Sequence, residues 1–447
     1  MPAPSDAVAA PTGNDFTLSA RSRKIGAVRD RLLRMIGPTP LVRSLAGQSV
    51  LSAFGEGAFL TGSAVFFTVI VGFSAQQVGL GLSVAALARF VMSVPLGRMA
   101  DRVGAKRMWQ VTSAVEAVLY AGWPFLDGFW QFVAMMIVMS VVEAGRRSGR
   151  GAYTIAVFPR EERVRSQAYM RAARNVGYTL GALAAGVALA TGRDEVVQAV
   201  PLLTAFLLAL NAWWVFKLPD VTREPSQESV LEEVVEHAGE KRSALHNRGF
   251  FLMSICNGVL GTHGVLLNVV IPLWLVQETD APHVLLAWLF GTNTVMAVGL
   301  QVAAARGVVD VRRSLQAQYR GAACLVLSCG IVLVTHDTVG WVTIALVWIG
   351  HVTVTGSELF QSAGMWGLVS ELSDPDRLGE YQGVSGLGYT MGDVWAPALY
   401  TYLAMSWGPP GWIVIAAIVV VAALGIGPSS YAAQRYLVRT KAAPVTA

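Results

Sequence analysis

Long apolar stretches alternate with short polar connections along almost the whole chain. Twelve of these stretches are long enough to carry a helix of about 20 residues across a bilayer core of about 30 Å. The pattern therefore predicts twelve transmembrane helices, with limits near 49–73, 76–96, 108–126, 130–157, 167–190, 200–218, 250–276, 284–305, 318–335, 339–368, 381–405 and 412–433.

Composition supports a membrane protein. Of the 447 residues 54% are hydrophobic and only 14% are charged, whereas soluble domains carry about 25% charged residues. So few charges cannot cover a globular surface, and we predict an all-α membrane protein. The net charge of +5 gives no reason to expect a nucleic acid partner; the partners we expect are the lipid bilayer and a small-molecule substrate.

Lysine and arginine are distributed unevenly between the connections. If the N-terminus lies inside, the outer loops hold only Arg193, and by the positive-inside rule both termini are predicted to be cytoplasmic. Heavy use of alanine, valine, glycine and arginine over lysine favours a bacterial plasma (inner) membrane. The basic residues on the predicted inner side include Arg98, Arg102, Lys106, Arg107, Arg160, Arg163, Arg165, Arg223, Lys241, Arg242, Arg248, Arg312, Arg313, Arg377, Arg435, Arg439 and Lys441.

The longest internal polar segment, Pro219–Arg248, divides the chain into two halves of six predicted helices each. Within it, 230–238 could form an amphipathic helix on the membrane face. The basic segment 19–36 is either an interfacial helix or a disordered tail attracted to anionic lipid. We therefore predict a cytoplasmic basic tail (1–45), an N-terminal half (46–218), a central cytoplasmic loop (219–249), a C-terminal half (250–433) and a second cytoplasmic tail (434–447).

One connection carries a recognisable motif. The charged turn Gly97–Arg107 directly follows the second apolar stretch and resembles the loop between the second and third spans of major facilitator superfamily transporters. The resemblance implies twelve helices in two pseudo-symmetric six-helix halves, with a gate at this turn. A weaker echo, Ala305–Arg313, lies at the corresponding place in the second half. The predicted gating residues are Gly97, Asp101, Arg102, Gly104, Lys106 and Arg107.

Ionisable residues inside the spans are costly and therefore mark functional candidates. In the first half they lie at similar depth, roughly 10–20 Å from the inner membrane surface at about 1.5 Å per helical residue. This level is either a substrate and proton site or a structural charge network bracing the gate. The candidates for proton coupling or substrate binding are Glu56, Arg89, Glu116, Glu143, Arg147, Arg150, Glu358 and Asp393.

Glu56 is the central residue of this hypothesis. We expect it to pair with Arg89 or with an arginine of span 4, and to exchange a proton as its surroundings alternate. Arg146 and Arg171 are expected to snorkel toward the interface. His263 and His351 are expected to be ordinary histidines of the bundle interior.

Spans 4 and 5 resemble those of exporters in the same superfamily. Arg147-Ser148-Gly149-Arg150-Gly151 resembles the Arg-x-x-Gln-Gly motif of drug:proton antiporters, with Arg150 in place of the glutamine. Span 5 is similar to the exporter type without its proline, and its glycines, which we expect roughly on one face, could let the helix rock against a neighbour. These glycines are Gly177, Gly181 and Gly186.

Taken together, these features predict a secondary active transporter that exports a small organic compound, a drug or metabolite, by proton antiport. The direction of transport, export, is inferred from the resemblance in spans 4 and 5. A proton-coupled importer of an organic anion, sugar or peptide, and a non-transporting membrane sensor, remain as alternatives. No phosphate-binding loop, catalytic triad or metal-ligand spacing occurs, so we expect no enzymatic activity, cofactor or metal. We further expect a monomeric carrier that is driven by the proton gradient.

Overall fold

The structure, a computed structural model, describes residues 37–65, 73–126, 128–191, 193–221 and 243–442. Twelve long helices and no strand occur within these ranges. The two segments predicted around 19–36 and 230–238 lie outside them. The helices are α1 (Pro40–Val65), α2 (Ala75–Val103), α3 (Ala105–Gly122), α4 (Phe129–Val157), α5 (Arg163–Ala190), α6 (Asp194–Phe216), α7 (Arg248–Glu278), α8 (Leu285–Ala304), α9 (Val311–Val334), α10 (Trp341–Leu372), α11 (Leu378–Trp407) and α12 (Pro409–Ala442).

The predicted all-α membrane architecture is confirmed. Eight of the described helices are long and apolar enough to cross a membrane by length and composition, namely α2, α4, α6, α7, α8, α9, α10 and α12. The other four, α1, α3, α5 and α11, face their neighbours with glycine, serine and charged residues, which lowers their mean hydropathy. Large apolar side chains such as Leu60, Phe206 and Leu424 are exposed on the outer surface of the bundle, where lipid would cover them.

The helices extend beyond the apolar stretches that predicted them. α1 begins at Pro40, α9 begins at Val311, and α12 continues to Ala442, because polar residues at the end of a membrane helix can be solvated without breaking it. We call the end of the bundle at which α1 begins and α12 ends the inner end.

The charged turn predicted over 97–107 is mostly helical, which corrects that prediction. Residues 97–103 form the last turns of α2, and α3 starts at Ala105. Only Gly104 interrupts the two helices, with φ of +98°, a conformation that favours glycine. Gly307, with φ of +73°, occupies the corresponding place between α8 and α9.

Each half contains one pair of helices in very close contact. In the N-terminal half, α1 packs along α5, and a Cβ at Gly177 or Gly181 would overlap the α1 backbone at Val50 or Phe54. In the C-terminal half, α7 and α11 meet in the same way through Gly258 and Gly388. Small residues allow this approach in a membrane protein, where close packing rather than the hydrophobic effect joins helices.

Gly186 does not belong to the close α1–α5 contact, contrary to the prediction of one glycine face. A Cβ on Gly186 would meet no atom within 4 Å. Nine residues separate it from Gly177, and at about 100° per residue nine residues place it on the opposite side of α5.

A short π-helical stretch, Leu266–Val270, widens α7. Pro272 follows within the next turn and has no N–H to donate to the carbonyl of Asn268, and its ring would crowd that carbonyl. The wider turn relieves this conflict without ending the helix.

The two halves contact each other through α2 and α4 with α11, and through α5 with α8 and α10. These contacts are rich in polar groups toward the inner end. They close the bundle there and place a cavity between the halves.

Candidate functional site

A buried ion triad joins three helices of the N-terminal half. Arg146 on α4 lies 3.1 Å from Glu56 on α1 and 2.8 Å from Glu116 on α3. Arg146 and Glu116 are 6% and 4% exposed. Glu56 also accepts hydrogen bonds from Ser52 Oγ at 2.9 Å and from Tyr178 Oη at 2.6 Å, so its charge is better compensated than that of Glu116.

The expectation that Arg146 snorkels to the interface is wrong. It lies 11 residues before the end of α4 at Val157, about 16 Å along the helix, and it faces two carboxylates within the bundle. Of the two pairings expected for Glu56, the structure shows the one with a span 4 arginine.

A second group surrounds Glu143, one turn of α4 further from the inner end. Arg147 donates from Nε and Nη2 to Glu143 Oε1 at 2.9 and 2.6 Å. Arg89 on α2 lies 3.5 Å from the other carboxylate oxygen. Arg89 therefore pairs with Glu143 and not with Glu56.

A cavity of about 370 Å³ lies between the halves and reaches both groups. Toward the inner end, Arg163 on α5 donates to Ser370 O on α10 at 3.5 Å, and Arg160 pairs with Glu371. The lining comes from α1, α4 and α5 on one side and from α10 and α11 on the other. The charged residues in it are Glu56, Glu143, Arg146, Arg147, Arg150, Arg163, Arg171 and Arg174.

Arg150 and Arg174 enter this cavity without a carboxylate partner among the described residues. Arg150 donates to Ser49 Oγ at 2.8 Å, and its guanidinium lies 5.8 Å from the centroid of the Trp109 ring. Arg174 donates to Tyr178 Oη at 3.2 Å and stacks over the same ring. Both side chains are therefore oriented by neutral groups.

Arg171 crosses from one half to the other. It donates to Glu358 Oε1 on α10 at 2.6 Å, and Asn293 on α8 donates to Oε2 at 2.9 Å. The expectation that Arg171 snorkels is therefore wrong. His263 and His351 are buried in the C-terminal half.

Asp393 on α11 has an exposed side chain and does not line the cavity. It nevertheless lies within electrostatic range of Arg89 and Arg147. The structure therefore leaves Asp393 outside the cavity, near that pair, and brings to the centre of the bundle the other candidates, Glu56, Arg89, Glu116, Glu143, Arg147, Arg150 and Glu358.

The gating motif meets the C-terminal half at the start of α11. Asp101 accepts the backbone N–H of Gly379 at 2.6 Å and that of Glu380 at 2.9 Å. A carboxylate at a helix N-terminus compensates unpaired N–H groups and the positive end of the helix dipole. Gly97 lies so close to Gly379 that a Cβ on either would overlap the other's carbonyl oxygen.

Arg98, rather than Arg102, supplies the cationic contact of the motif. Arg98 Nη2 lies 3.0 Å from Glu380 Oε1, and the Glu380 side chain also accepts from Ser243 Oγ at 2.6 Å. Arg102 and Arg107 are exposed. Lys106 does not contact the C-terminal half: it donates to Leu218 O at 2.6 Å and to Asp220 Oδ1 at 2.8 Å.

The echo of the motif in the second half has a different role. Asp310 caps its own helix α9 by accepting the N–H of Arg313 at 2.7 Å, and does not reach across to the other half as Asp101 does. Counted back from the positive-φ glycines, Ala304 occupies the place of Asp101, so the pseudo-symmetry does not extend to this contact.

Sequence reasoning missed several residues of the site. Arg98 and Glu380 lie near helix ends, where charged residues usually face water, so nothing marked them as partners. Tyr178 follows Arg174, a residue of the predicted charge level, by four positions on α5, and this spacing, which puts both on one helix face, is a signal that could have found Tyr178.

Comparisons with known proteins agree with this architecture. The family model of the Major Facilitator Superfamily matches residues 45–397. No curated protein sequence matches the chain. Similar solved structures include the human organic anion transporter MFSD10 (TETRAN), with a TM-score of 0.62, 13% identity, and coverage of 87% of this chain and 100% of that one.

Two further similar structures have other described substrates. A bacterial homologue of the iron transporter ferroportin, in an outward-facing state, has a TM-score of 0.61 and 12% identity, covering 90% of this chain and 100% of that one. The proton:xylose symporter XylE bound to 6-bromo-6-deoxy-D-glucose has a TM-score of 0.62 and 14% identity, covering 86% and 94%. At such identities these similarities establish the fold alone.

The family match covers more than three quarters of the chain, and twelve helices in two halves are the architecture that the resemblance of the Gly97–Arg107 motif implied. The protein is therefore a multi-pass membrane transporter of the secondary type rather than an enzyme. The chain belongs to the major facilitator superfamily.

Proposed function

We propose that this transporter exports a small organic compound in exchange for protons, and that the Glu56–Arg146–Glu116 triad is its proton site. The triad supports this proposal because it sets two buried carboxyls against one guanidinium. Two carboxylates and one guanidinium leave one uncompensated negative charge, and burying such a charge is costly. A proton on one of the two carboxyls makes the triad neutral.

Glu116 is the carboxyl that we expect to hold this proton. Glu56 has donors in Ser52 and Tyr178 besides its arginine, and donors to a carboxylate favour its charged form. Among the described residues Glu116 contacts only Arg146 as a charged partner. Because Glu56 also lines the cavity, substrate or solvent entering it alters the balance between the two carboxyls.

Alternating access follows from the contacts between the halves. The contacts of Asp101, Arg98 and Arg160 close the inner end, so release of these contacts would open the cavity to the side that we infer to be the cytoplasm. The proposed direction of transport, export, rests on the resemblance of spans 4 and 5 to those of exporters.

The test uses inverted membrane vesicles that contain the protein, energised and loaded with a pH-sensitive dye. We expect particular lipophilic or anionic compounds to collapse the pH gradient with the wild type. Glu116→Gln and Glu56→Gln should each abolish the response while the protein remains folded. Glu161→Gln, at an exposed inner-end position, is the matched control and should respond like the wild type.

Proton-linked transport that is unchanged in both triad variants would remove the triad from the mechanism. Absence of a response to every compound would contradict proton-coupled export. Uptake into right-side-out vesicles would then test the alternative of proton-coupled import.

A further inference from the structure

The cavity between the halves carries more positive than negative charge. Six arginines line it, against two glutamates. Arg146 and Arg147 are neutralised by the glutamates of their own half, and Arg171 by Glu358. Arg163 donates to the carbonyls of Phe158 and Ser370 near the inner end. Arg150 and Arg174 also lack a carboxylate at salt-bridge distance within the described residues, and they carry the excess charge further inside the cavity.

These two guanidiniums lie within electrostatic range of each other and of Glu56, whose carboxylate is already paired with Arg146. Like charges removed from water repel more strongly than in solution, so the net positive charge that remains beside this one shared carboxylate costs free energy. An anion bound between them would offset that cost. Residues that bind a ligand's charge are expected to show this kind of unfavourable arrangement without it.

The orientation of both side chains is already determined by neutral partners. Ser49, itself held by a 2.6 Å hydrogen bond to Leu45 O, accepts from one nitrogen of Arg150, and Tyr178 accepts from one nitrogen of Arg174. A guanidinium has five N–H donors, and an oxyanion can accept two from one arginine in a bidentate contact. Little side-chain freedom remains to be lost when such a ligand binds.

The opposite wall of the cavity comes from the C-terminal half and combines apolar with polar side chains. Met365, Trp366 and Val369 of α10 and Tyr389 of α11 provide its apolar and aromatic surface, next to the polar residues Ser370, Gln382 and Ser385. A cavity of about 370 Å³ is within the usual range for small-molecule sites. The lining thus offers arginines on one side and aromatic and thioether surface on the other.

We propose that Arg150 and Arg174 bind the oxyanion group, a carboxylate or a phosphate, of a small substrate whose apolar part packs against Trp366 and Tyr389. This inference names the substrate class of the transport proposed above and rests on that function. Because the substrate would touch residues of both halves, its binding would couple the anion to the relative position of the halves.

The experiment measures ligand binding to the purified protein in detergent, without any pH gradient. The probes are benzoate and phenyl phosphate, with benzamide as a neutral analogue of the same shape and benzylammonium as a cation. We expect one or both anions to raise the Tm of the wild type, and the neutral and cationic probes not to do so. The anion that binds more tightly distinguishes a carboxylate from a phosphate substrate.

Arg150→Gln and Arg174→Gln should each weaken anion binding by about tenfold or more, as expected for loss of a charge-assisted hydrogen bond. Arg165→Gln, on the exposed side of the same helix α5, is the matched control and should bind like the wild type. Arg150→Lys and Arg174→Lys keep the charge but lose the bidentate geometry. They should bind with intermediate affinity, and they serve if a glutamine variant does not fold.

The proposal is overturned if neither anion stabilises the wild type, if benzamide stabilises it equally, or if the arginine variants bind anions unchanged. These outcomes are independent of proton coupling. Anion binding that is retained in Glu116→Gln, together with loss of its vesicle response, would support both proposals. Loss of the vesicle response with no anion binding in the wild type would leave the proton site standing and remove the anion site.

Discussion

Arg146 is a buried guanidinium in contact with two carboxylates from two other helices. Its neighbour on α4, Arg147, has a different environment. The Arg147 side chain is 61% exposed, toward the cavity, whereas the Arg146 side chain is 7% exposed. Two adjacent arginines of one helix therefore differ in what their removal would leave behind. Loss of Arg146 would leave Glu56 and Glu116 buried without their cation.

We predict that Arg146→Gln destabilises the protein by about 3–5 kcal/mol, the range for breaking a buried ion pair by removing one partner. Arg147→Gln should change stability by less than about 1 kcal/mol, because the Arg147 side chain is mostly exposed and Glu143 keeps Arg89 as a second cation. Thermal unfolding of the two variants in the same detergent provides the measurement. Equal Tm values for the two variants would contradict the triad described here.

At the level of whole helices, glycine positions determine which helices meet. The α1–α5 contact depends on Gly177 and Gly181, and the α7–α11 contact depends on Gly258 and Gly388. A methyl group at these positions must move one backbone away from another, whereas Gly186 has open space around it.

Gly181→Ala should therefore lower the Tm by several degrees and reduce transport, since α1 carries Glu56 and would be displaced. Gly186→Ala adds the same methyl group to the same helix without a clash. It should leave the Tm unchanged or slightly raised, because alanine favours helix over glycine by about 1 kcal/mol. Transport and Tm are measured for both variants side by side. Equal effects in the two variants would indicate a general effect of alanine in α5 and not the loss of a close helix contact.

The presence of each helix could be predicted from the sequence, because a helix that crosses a lipid bilayer needs a continuous run of apolar residues, and such a run can be seen in the sequence itself. Helix partners could not be predicted in the same way. The pairing of Glu56 with Arg146 instead of Arg89 depends on how α1, α2 and α4 are rotated about their axes, and depth along each helix does not determine this rotation. The error over Gly186 is different, since helical periodicity alone would have excluded it.

For the molecule as a whole, the contacts at the inner end hold the two halves in one arrangement. Asp101 connects α2 to the N-terminus of α11, and Arg98 and Arg160 pair with glutamates of the opposite half. Besides these polar contacts the halves share a small apolar cluster, in which Val164 and Ala168 of α5 pack with Ala363 of α10. A change in the polar contacts is expected to shift the balance between inner-closed and inner-open forms.

Asp101→Asn should favour the inner-open form, because asparagine offers one carbonyl oxygen and no charge to two N–H donors. Loss of one charge-assisted hydrogen bond is worth about 1.5–3 kcal/mol, which changes a two-state ratio about tenfold or more. Spin labels at the exposed positions Arg107 and Arg312, in a background without the three native cysteines, would report longer distances between the halves.

Asp220→Asn is the matched control for this measurement. Asp220, just after the N-terminal half, pairs with Lys106 of that half and is 88% exposed in its side chain. The distances in this variant should match those of the parent. An unchanged distribution in Asp101→Asn would show that its contact with α11 does not hold the halves together.

The partner of Asp101 is a main-chain group, and this affects which sequence changes the contact can tolerate in evolution. Every residue type except proline supplies the same amide at position 380, so the donor side of this contact is hidden from any comparison of side chains. Related chains could lose the Glu380 side chain, and with it the pair with Arg98, and still keep this bond, whereas position 379 must remain small because Gly97 lies against it. Searching for residue pairs that change together would therefore overlook one of the bonds on which this protein's conformational switch depends.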